Sequence, residues 1–185
     1  MFPEWMKEAS TPFSSVLVAN RGEIAVRIIK AVQEAGLRAI AVYSDPDRNA
    51  LHLEIADEAV YLPGDSLVEN YLSSEAIIQA ARTSGAQAIH PGYGFLSERA
   101  DFARAVVNAG IVWIGPSPEA IETMGDKISA RSRMIESGVP VIPGDEIAIP
   151  EGSDHMGASA SVAARVGYPL LLKASAGGGG KGMRV

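Results

Sequence analysis

The chain contains no cysteine, which excludes disulfides and thiolate metal sites and suits a reducing cytosol. It has no apolar run approaching the length of a membrane span. It also lacks a basic excess: 16 Lys+Arg stand against 22 Asp+Glu, and the net charge of −6 argues against a general nucleic-acid binder. The N-terminal stretch, residues 1–14, has no apolar signal-peptide core. It mixes Glu4, Lys7 and Glu8 with Pro3 and Pro12, and reads as a loose tail. What remains is an ordinary globular composition, 47% hydrophobic and 21% charged, sufficient for a real core. A length of 185 residues allows one domain and part of another. These features predict a soluble, acidic, cytoplasmic protein that engages neither nucleic acid nor membrane.

Short apolar runs alternate with helical periodicity from Val16 onward. Strands are predicted at Val16–Ala19, Ala39–Tyr43, Val60–Leu62, Ala88–His90 and Val112–Ile114. Between them, Gly22–Ala35 places Ile24, Ile28, Ile29, Val32 and Ala35 on one helical face, with Gly36 closing it. Further helices are predicted around Leu51–Ala56, at Ser74–Ser84 and at Arg99–Ala109. Such β-α-β alternation predicts an α/β fold, a parallel sheet with helices on both faces. A second unit is expected from near Gly125: helices at Asp126–Ser137 and Ala158–Val166, a Gly- and Pro-rich loop at 144–157, then a strand at Leu170–Leu172.

The final eighteen residues carry the strongest signal. The apolar strand delivers Lys173, and Gly177, Gly178, Gly179 and Gly180 follow before Lys181 and Gly182. Glycines remove side chains, so successive backbone N–H groups can close over a phosphate, with lysines adding positive charge. This is not a Walker A loop, because Gly182 and Met183 follow Lys181 instead of Ser/Thr at a helix head. A strand–glycine loop–strand flap over a triphosphate fits better than a flexible linker, which a buried strand would not introduce. The chain stops at Val185, where the return strand is barely begun, and a truncated unit is expected.

Three weaker motifs precede it. Asn20-Arg21-Gly22-Glu23 follows the first strand, where α/β proteins gather ligands. It lacks the G-x-G-x-x-G spacing, and by itself reads better as a tight turn with a solvated arginine and a first-turn glutamate. His90-Pro91-Gly92-Tyr93-Gly94-Phe95 follows the fourth strand; its glycines allow a sharp fold that leaves Tyr93 free to pack on a planar ligand or to cap the sheet. His90 itself reads as hydrogen-bonded structure. Met124-Gly125-Asp126-Lys127 opens a helix, with Asp126 as N-cap and Lys127 set against the helix dipole.

Taken together, Leu17–Ala25, His90–Glu98, Trp113–Pro116, Met124–Lys127 and Lys173–Val185 resemble biotin carboxylase, the ATP-grasp component of biotin-dependent acyl-CoA carboxylases and pyruvate carboxylase. The resemblance runs from Ser15 to Val185. It implies a Rossmann-like N-terminal domain, residues 15–123, followed by the start of an ATP-grasp domain, residues 124–185. The family's reaction uses ATP with Mg²⁺ and bicarbonate to form carboxyphosphate, which releases CO2 beside a deprotonated biotin. By resemblance, Lys127 and Lys173 hold the nucleotide, and Gly177, Gly178, Gly179, Gly180 and Gly182 form its lid. Tyr93 and Gly94 line the biotin side. Arg27 and Glu34 stand near a homodimer interface along helix 22–35, where Lys30 replaces an arginine found in some relatives. Implied partners are a biotin carboxyl carrier protein and a carboxyltransferase, as in acetyl-CoA carboxylase and fatty acid biosynthesis.

The family's acidic metal ligands and catalytic groups lie beyond Val185, so no catalytic or metal-binding residue is assignable in this span. The 185-residue form is expected to be inactive alone, with residues 177–185 mobile. Two other readings stay open: another ATP-grasp ligase, and a non-catalytic module for dimerisation or assembly.

Overall fold

The computed structural model describes residues 12–125, 127–142, 144, 155–173 and 183–185. Two compact units result, with the division between Ile121 and Glu122.

In the first unit, β1 (Ser15–Val18), β2 (Arg38–Tyr43), β3 (Glu58–Tyr61), β4 (Ala88–His90) and β5 (Val112–Trp113) form one sheet in the order β3-β2-β1-β4-β5. Every pairing is parallel, with Leu17 opposite Ile40 on one side and Ile89 on the other. The helices are α1 (Gly22–Glu34), α2 (Leu51–Ile55), α3 (Ser74–Ser84), α4 (Ala100–Asn108) and α5 (Pro118–Gly125), the last crossing the division.

Strand alternation assigns the two faces. Leu17, Ala19, Ile40, Val42 and Ile89 pack with Ile77, Ala80 and Ala81 of α3 and with Phe102 and Val106 of α4. Val16, Val18, Ala39, Ala41 and Ala88 pack with Ile24, Ala25, Ile28, Ile29 and Val32 of α1. β1 is buried throughout, as the centre of a doubly covered parallel sheet must be. The expected parallel sheet with helices on both faces is therefore observed.

Helix ends follow their local chemistry. Ser73 caps α3 by accepting from the Ala76 N–H at 3.2 Å, and Gly85 closes that helix in the left-handed region at φ 65°. Before β1, Phe13 packs on the α1-side core, and the Ser14 N–H donates to Gln87 Oε1 at 2.7 Å.

Two details depart from the periodicity. α5 was not expected, because eight residues are too few to show a helical stripe. Its start is nonetheless written in Ser117-Pro118-Glu119: Ser117 Oγ accepts from the Ala120 N–H at 3.2 Å, and proline occupies the first helical position. In the second unit, helix α7 (His155–Val166) begins three residues before the predicted Ala158. The remainder of the predicted 144–157 loop, apart from Gly144, lies outside the described residues.

The second unit holds α6 (Lys127–Glu136), α7, and the strands β6 (Leu172–Lys173) and β7 (Met183–Arg184). β6 and β7 pair antiparallel, Leu172 with Arg184 and Lys173 with Met183, while the glycine run between them lies outside the described residues. Among the described residues, no helix is long and apolar enough to cross a membrane.

Candidate functional site

Strand order reverses between β1 and β4, and in an open α/β sheet the crevice at that point, outside the carboxyl ends, is where ligands settle. The turn after β1 and the loop after β4 meet there. The Ala19 N–H donates to His90 O at 2.9 Å, extending the ladder past the strands. Asn20, only 3% exposed, then joins the two segments: its Nδ2 donates to Pro91 O and Tyr93 O, each at 2.8 Å. Its Oδ1 accepts from the Arg21 N–H at 2.9 Å, so the carboxamide is satisfied at both ends.

Residues 20–24 and 93–95 line a cleft of about 360 Å³. Tyr93 is 60% exposed, and its hydroxyl donates to Glu23 Oε1 across the cleft. That hydrogen bond, then desolvation and the nearby carboxylate charge, raise the Tyr93 phenol above its ordinary value, so it remains a proton donor near neutrality. Glu23 lies in the first turn of α1, where the dipole favours a carboxylate. The same tyrosine borders a second, mostly apolar groove of about 430 Å³ beside α1, with Ile24, Ile28 and Ile114 in its lining.

The loop backbone is specialised. Gly92 and Gly94 have φ of 69° and 65°, and Phe95 sits at 47°, a left-handed conformation that costs a non-glycine residue about 1 kcal/mol. Phe95 stacks on Tyr71, with centroids 5.4 Å apart and planes 16° from parallel, which offsets that cost. The Gly92 N–H donates to His90 Nδ1 at 3.0 Å. Burial holds the His90 imidazole below its ordinary range, so it is neutral and accepts that bond. His90 is thus part of the loop's scaffold, as its position suggested.

Arg21 is not a freely solvated side chain. Its Nη2 lies 3.3 Å from Asp47 Oδ1, and its guanidinium lies 5.8 Å from the centre of the Tyr71 ring. Asp47 and Tyr71 are the residues that reading the sequence missed. Asp47 had a weak signal, an acid in the Ser44-Asp45-Pro46-Asp47 turn just past β2; Tyr71 had none, since its partners lie 24 and more residues away.

The predicted nucleotide residues fall in the second unit. Lys127 is the first residue of α6, in a first turn without an acid, and Lys173 closes β6. Gly177, Gly178, Gly179, Gly180 and Gly182, together with Asp126, lie outside the described residues. Arg27, Lys30 and Glu34 are all exposed on α1. The Trp113–Pro116 motif serves structure: the indole packs edge-on to Phe102 and donates to Pro116 O at 2.9 Å.

The family described as biotin carboxylase, N-terminal domain, matches residues 12–121. The carbamoyl-phosphate synthase L chain, ATP binding domain, matches residues 126–185. The chain is 51% identical to a biotin carboxylase of Halalkalibacterium halodurans over 173 residues, covering 94% of this chain and 37% of the relative. It is 49% identical to a biotin-dependent acyl-coenzyme A carboxylase alpha3 subunit of Mycobacterium leprae over 177 residues, covering 96% of this chain and 29% of the relative. The chain thus spans about a third of the length of these curated relatives. The biotin carboxylase domain dimer of Hydrogenobacter thermophilus 2-oxoglutarate carboxylase, in complex with MgADP, ADP and bicarbonate, superposes with a TM-score of 0.85 at 45% identity, covering 95% of this chain and 38% of that one. Campylobacter jejuni biotin carboxylase, in a β,γ-ATP complex, gives a TM-score of 0.85 at 46% identity, covering 93% and 38%.

Proposed function

The chain belongs to the biotin carboxylase family, and we propose that it serves the ATP- and bicarbonate-dependent carboxylation of biotin on a carrier protein, through carboxyphosphate. One observation carries the reading on this chain: Tyr93 and Gly94, matched by resemblance to the biotin side, stand at the switch-point cleft and are tied there by Asn20. An exposed tyrosine with a bonded hydroxyl suits a planar, polar-edged ligand such as the biotin ureido ring.

MgATP is the second substrate in this reading. Lys127, Lys173, Gly177, Gly178, Gly179, Gly180 and Gly182 would hold it, the lysines neutralising phosphate charge and the glycines supplying backbone donors. The domain organisation follows: an N-terminal stretch at 1–14, of which Phe13 and Ser14 already join the first unit, a biotin carboxylase N-terminal domain at 15–123, and ATP-grasp sequence at 124–185. A homodimer forms along α1, where Arg27 and Glu34 are exposed and two helical turns apart. The carrier protein and a carboxyltransferase complete the partners, with an acyl-CoA or a keto acid as final acceptor in the cytoplasm.

The test is ADP release by the purified protein with MgATP and free biotin, with and without bicarbonate, alongside Lys173→Ala, and MgATP binding measured in parallel. Bicarbonate-dependent release that Lys173→Ala removes supports the ligase and overturns the expectation that these 185 residues are inactive alone. Binding of MgATP without such release is the outcome expected of the 185-residue form alone, and a stable dimer that binds no MgATP points to the assembly module instead. No binding of MgATP overturns both the nucleotide assignment and the ligase.

A further inference from the structure

Beneath the cleft lies a cluster that touches both of its walls. Tyr71, 1% exposed, makes three contacts at once. Its ring stacks on Phe95 of the loop wall at 5.4 Å, and the Arg21 guanidinium of the turn wall lies 5.8 Å from the ring centre. Its hydroxyl donates to Asp47 Oδ2 at 2.8 Å, and Asp47, 7% exposed, pairs through Oδ1 with Arg21 at 3.3 Å. Arg21, Asp47 and Tyr71 therefore close a triangle, and Phe95 hangs from its third corner.

The position of Tyr71 is itself prescribed. The Asn70 Oδ1 accepts from the Tyr71 N–H at 2.7 Å, and Asn70, 4% exposed, donates to Gly64 O at 3.3 Å. A ring so held can transmit displacement in either direction, because a packed interior gives little room for one partner to move alone.

From this geometry we infer that Tyr71, supported by Asp47, is a positioning residue that sets the two walls of the cleft as one unit. Phe95 in its left-handed conformation fixes the direction of the chain at Tyr93 and Gly94, and Tyr71 is what Phe95 packs on. Arg21, anchored to the same ring and to Asp47, lines the cleft together with residues 22–24. A ligand in this cleft meets two walls whose spacing depends on one buried side chain. The ligand assignment rests on the biotin reading above; the mechanical claim does not.

The experiment follows backbone signals of Tyr93, Gly94 and Phe95 and the Arg21 Nε–H by NMR in the 185-residue protein. In Tyr71→Leu, the Phe95 Cα and Cβ shifts should leave left-handed values and Tyr93 and Gly94 should move, while Leu17 and Ile40 keep theirs. Tyr71→Phe, which retains the ring, should restore the Phe95 shifts. Phe95→Leu leaves Arg21, Asp47 and Tyr71 unsubstituted and serves if Tyr71→Leu does not fold. It should displace the Arg21 signal through the Tyr71 ring on which both residues pack. Unmoved loop signals in folded Tyr71→Leu, or an unmoved Arg21 signal in Phe95→Leu, overturn the inference. Titration with free biotin separates the two claims. Half-saturation read at Tyr93 and Gly94 should rise about tenfold in Tyr71→Leu, since a misplaced wall weakens an oriented ligand. If free biotin perturbs neither residue in the unsubstituted protein, the biotin assignment of the cleft fails and the loop shifts alone decide the role of Tyr71.

Discussion

A β-carbon built on Gly92 would stand 2.8 Å from Asn20 Nδ2. The carboxamide cannot retreat, because that nitrogen is held by Pro91 O and Tyr93 O. Gly92 also sits at φ 69°, so alanine there meets both a clash and backbone strain. Gly92→Ala is expected to destabilise the first unit by about 2–3 kcal/mol, measured by urea unfolding followed by circular dichroism. A change within the error of the extrapolation would mean that the loop rearranges freely and that Asn20 does not pin it.

Asn20→Ala removes the two donors and leaves Pro91 O and Tyr93 O short of a partner. The expected cost is about 2–3 kcal/mol, and amide exchange of residues 92–97 should accelerate more than that of the strands. Asn20→Asp should be worse than alanine near neutral pH, because it sets a carboxylate against two carbonyl oxygens. Equal stability of the three proteins would refute the clamp.

His52 is 1% exposed; its Nε2 lies 3.2 Å from Val42 O, and its Nδ1 has no partner among the described residues. Burial holds its imidazole below the ordinary 6.5, outweighing the Val42 carbonyl and Asp47, and Arg21 acts in the same direction as burial. His90 is shifted the same way by burial. The unfolded chain therefore binds more protons than the folded one below the ordinary value. Stability is complete above about pH 6.5 and falls as pH drops below it, through the folded values. Urea midpoints at pH 7.5, 6.5 and 5.5 should show that fall, and His52→Gln, which keeps a donor for Val42 O, should reduce it to the share that His90 contributes.

Phe102 is fully buried and meets the Trp113 indole edge-on, at 5.5 Å and 88°. Phe102→Ala should cost about 3–5 kcal/mol through lost burial and the cavity left behind. In a Trp5→Phe background, Trp113 emission should shift to longer wavelength well before the sheet unfolds. Unshifted emission would show that the indole is held by its bond to Pro116 O alone.

Much of the fold was legible because it is local. The β-α-β alternation follows from short apolar runs and from a stripe such as Ile24, Ile28, Ile29 and Val32; the predicted helix stop at Gly36 is seen in its N–H bonding to Gln33 O at 2.9 Å. The site was only half legible. Its glycines and Tyr93 announced a loop, yet the clamp from Asn20 spans 71 and 73 residues and leaves no trace in spacing. Arg21 read as solvated because an ion-pair partner 26 positions away is invisible to any local window.

By itself, then, the sequence determined the element types, the parallel sheet and the residues that mark the family, since each depends on propensity, periodicity or a contiguous motif. Tertiary structure decided the strand order, and with it the reversal between β1 and β4 that brings residues 20–24 to residues 93–95. It also decided that Tyr71 and Asp47 underlie both. Burial and hydrogen bonding between distant segments are properties of the folded topology, and local chemistry constrains them only after the chain has closed on itself.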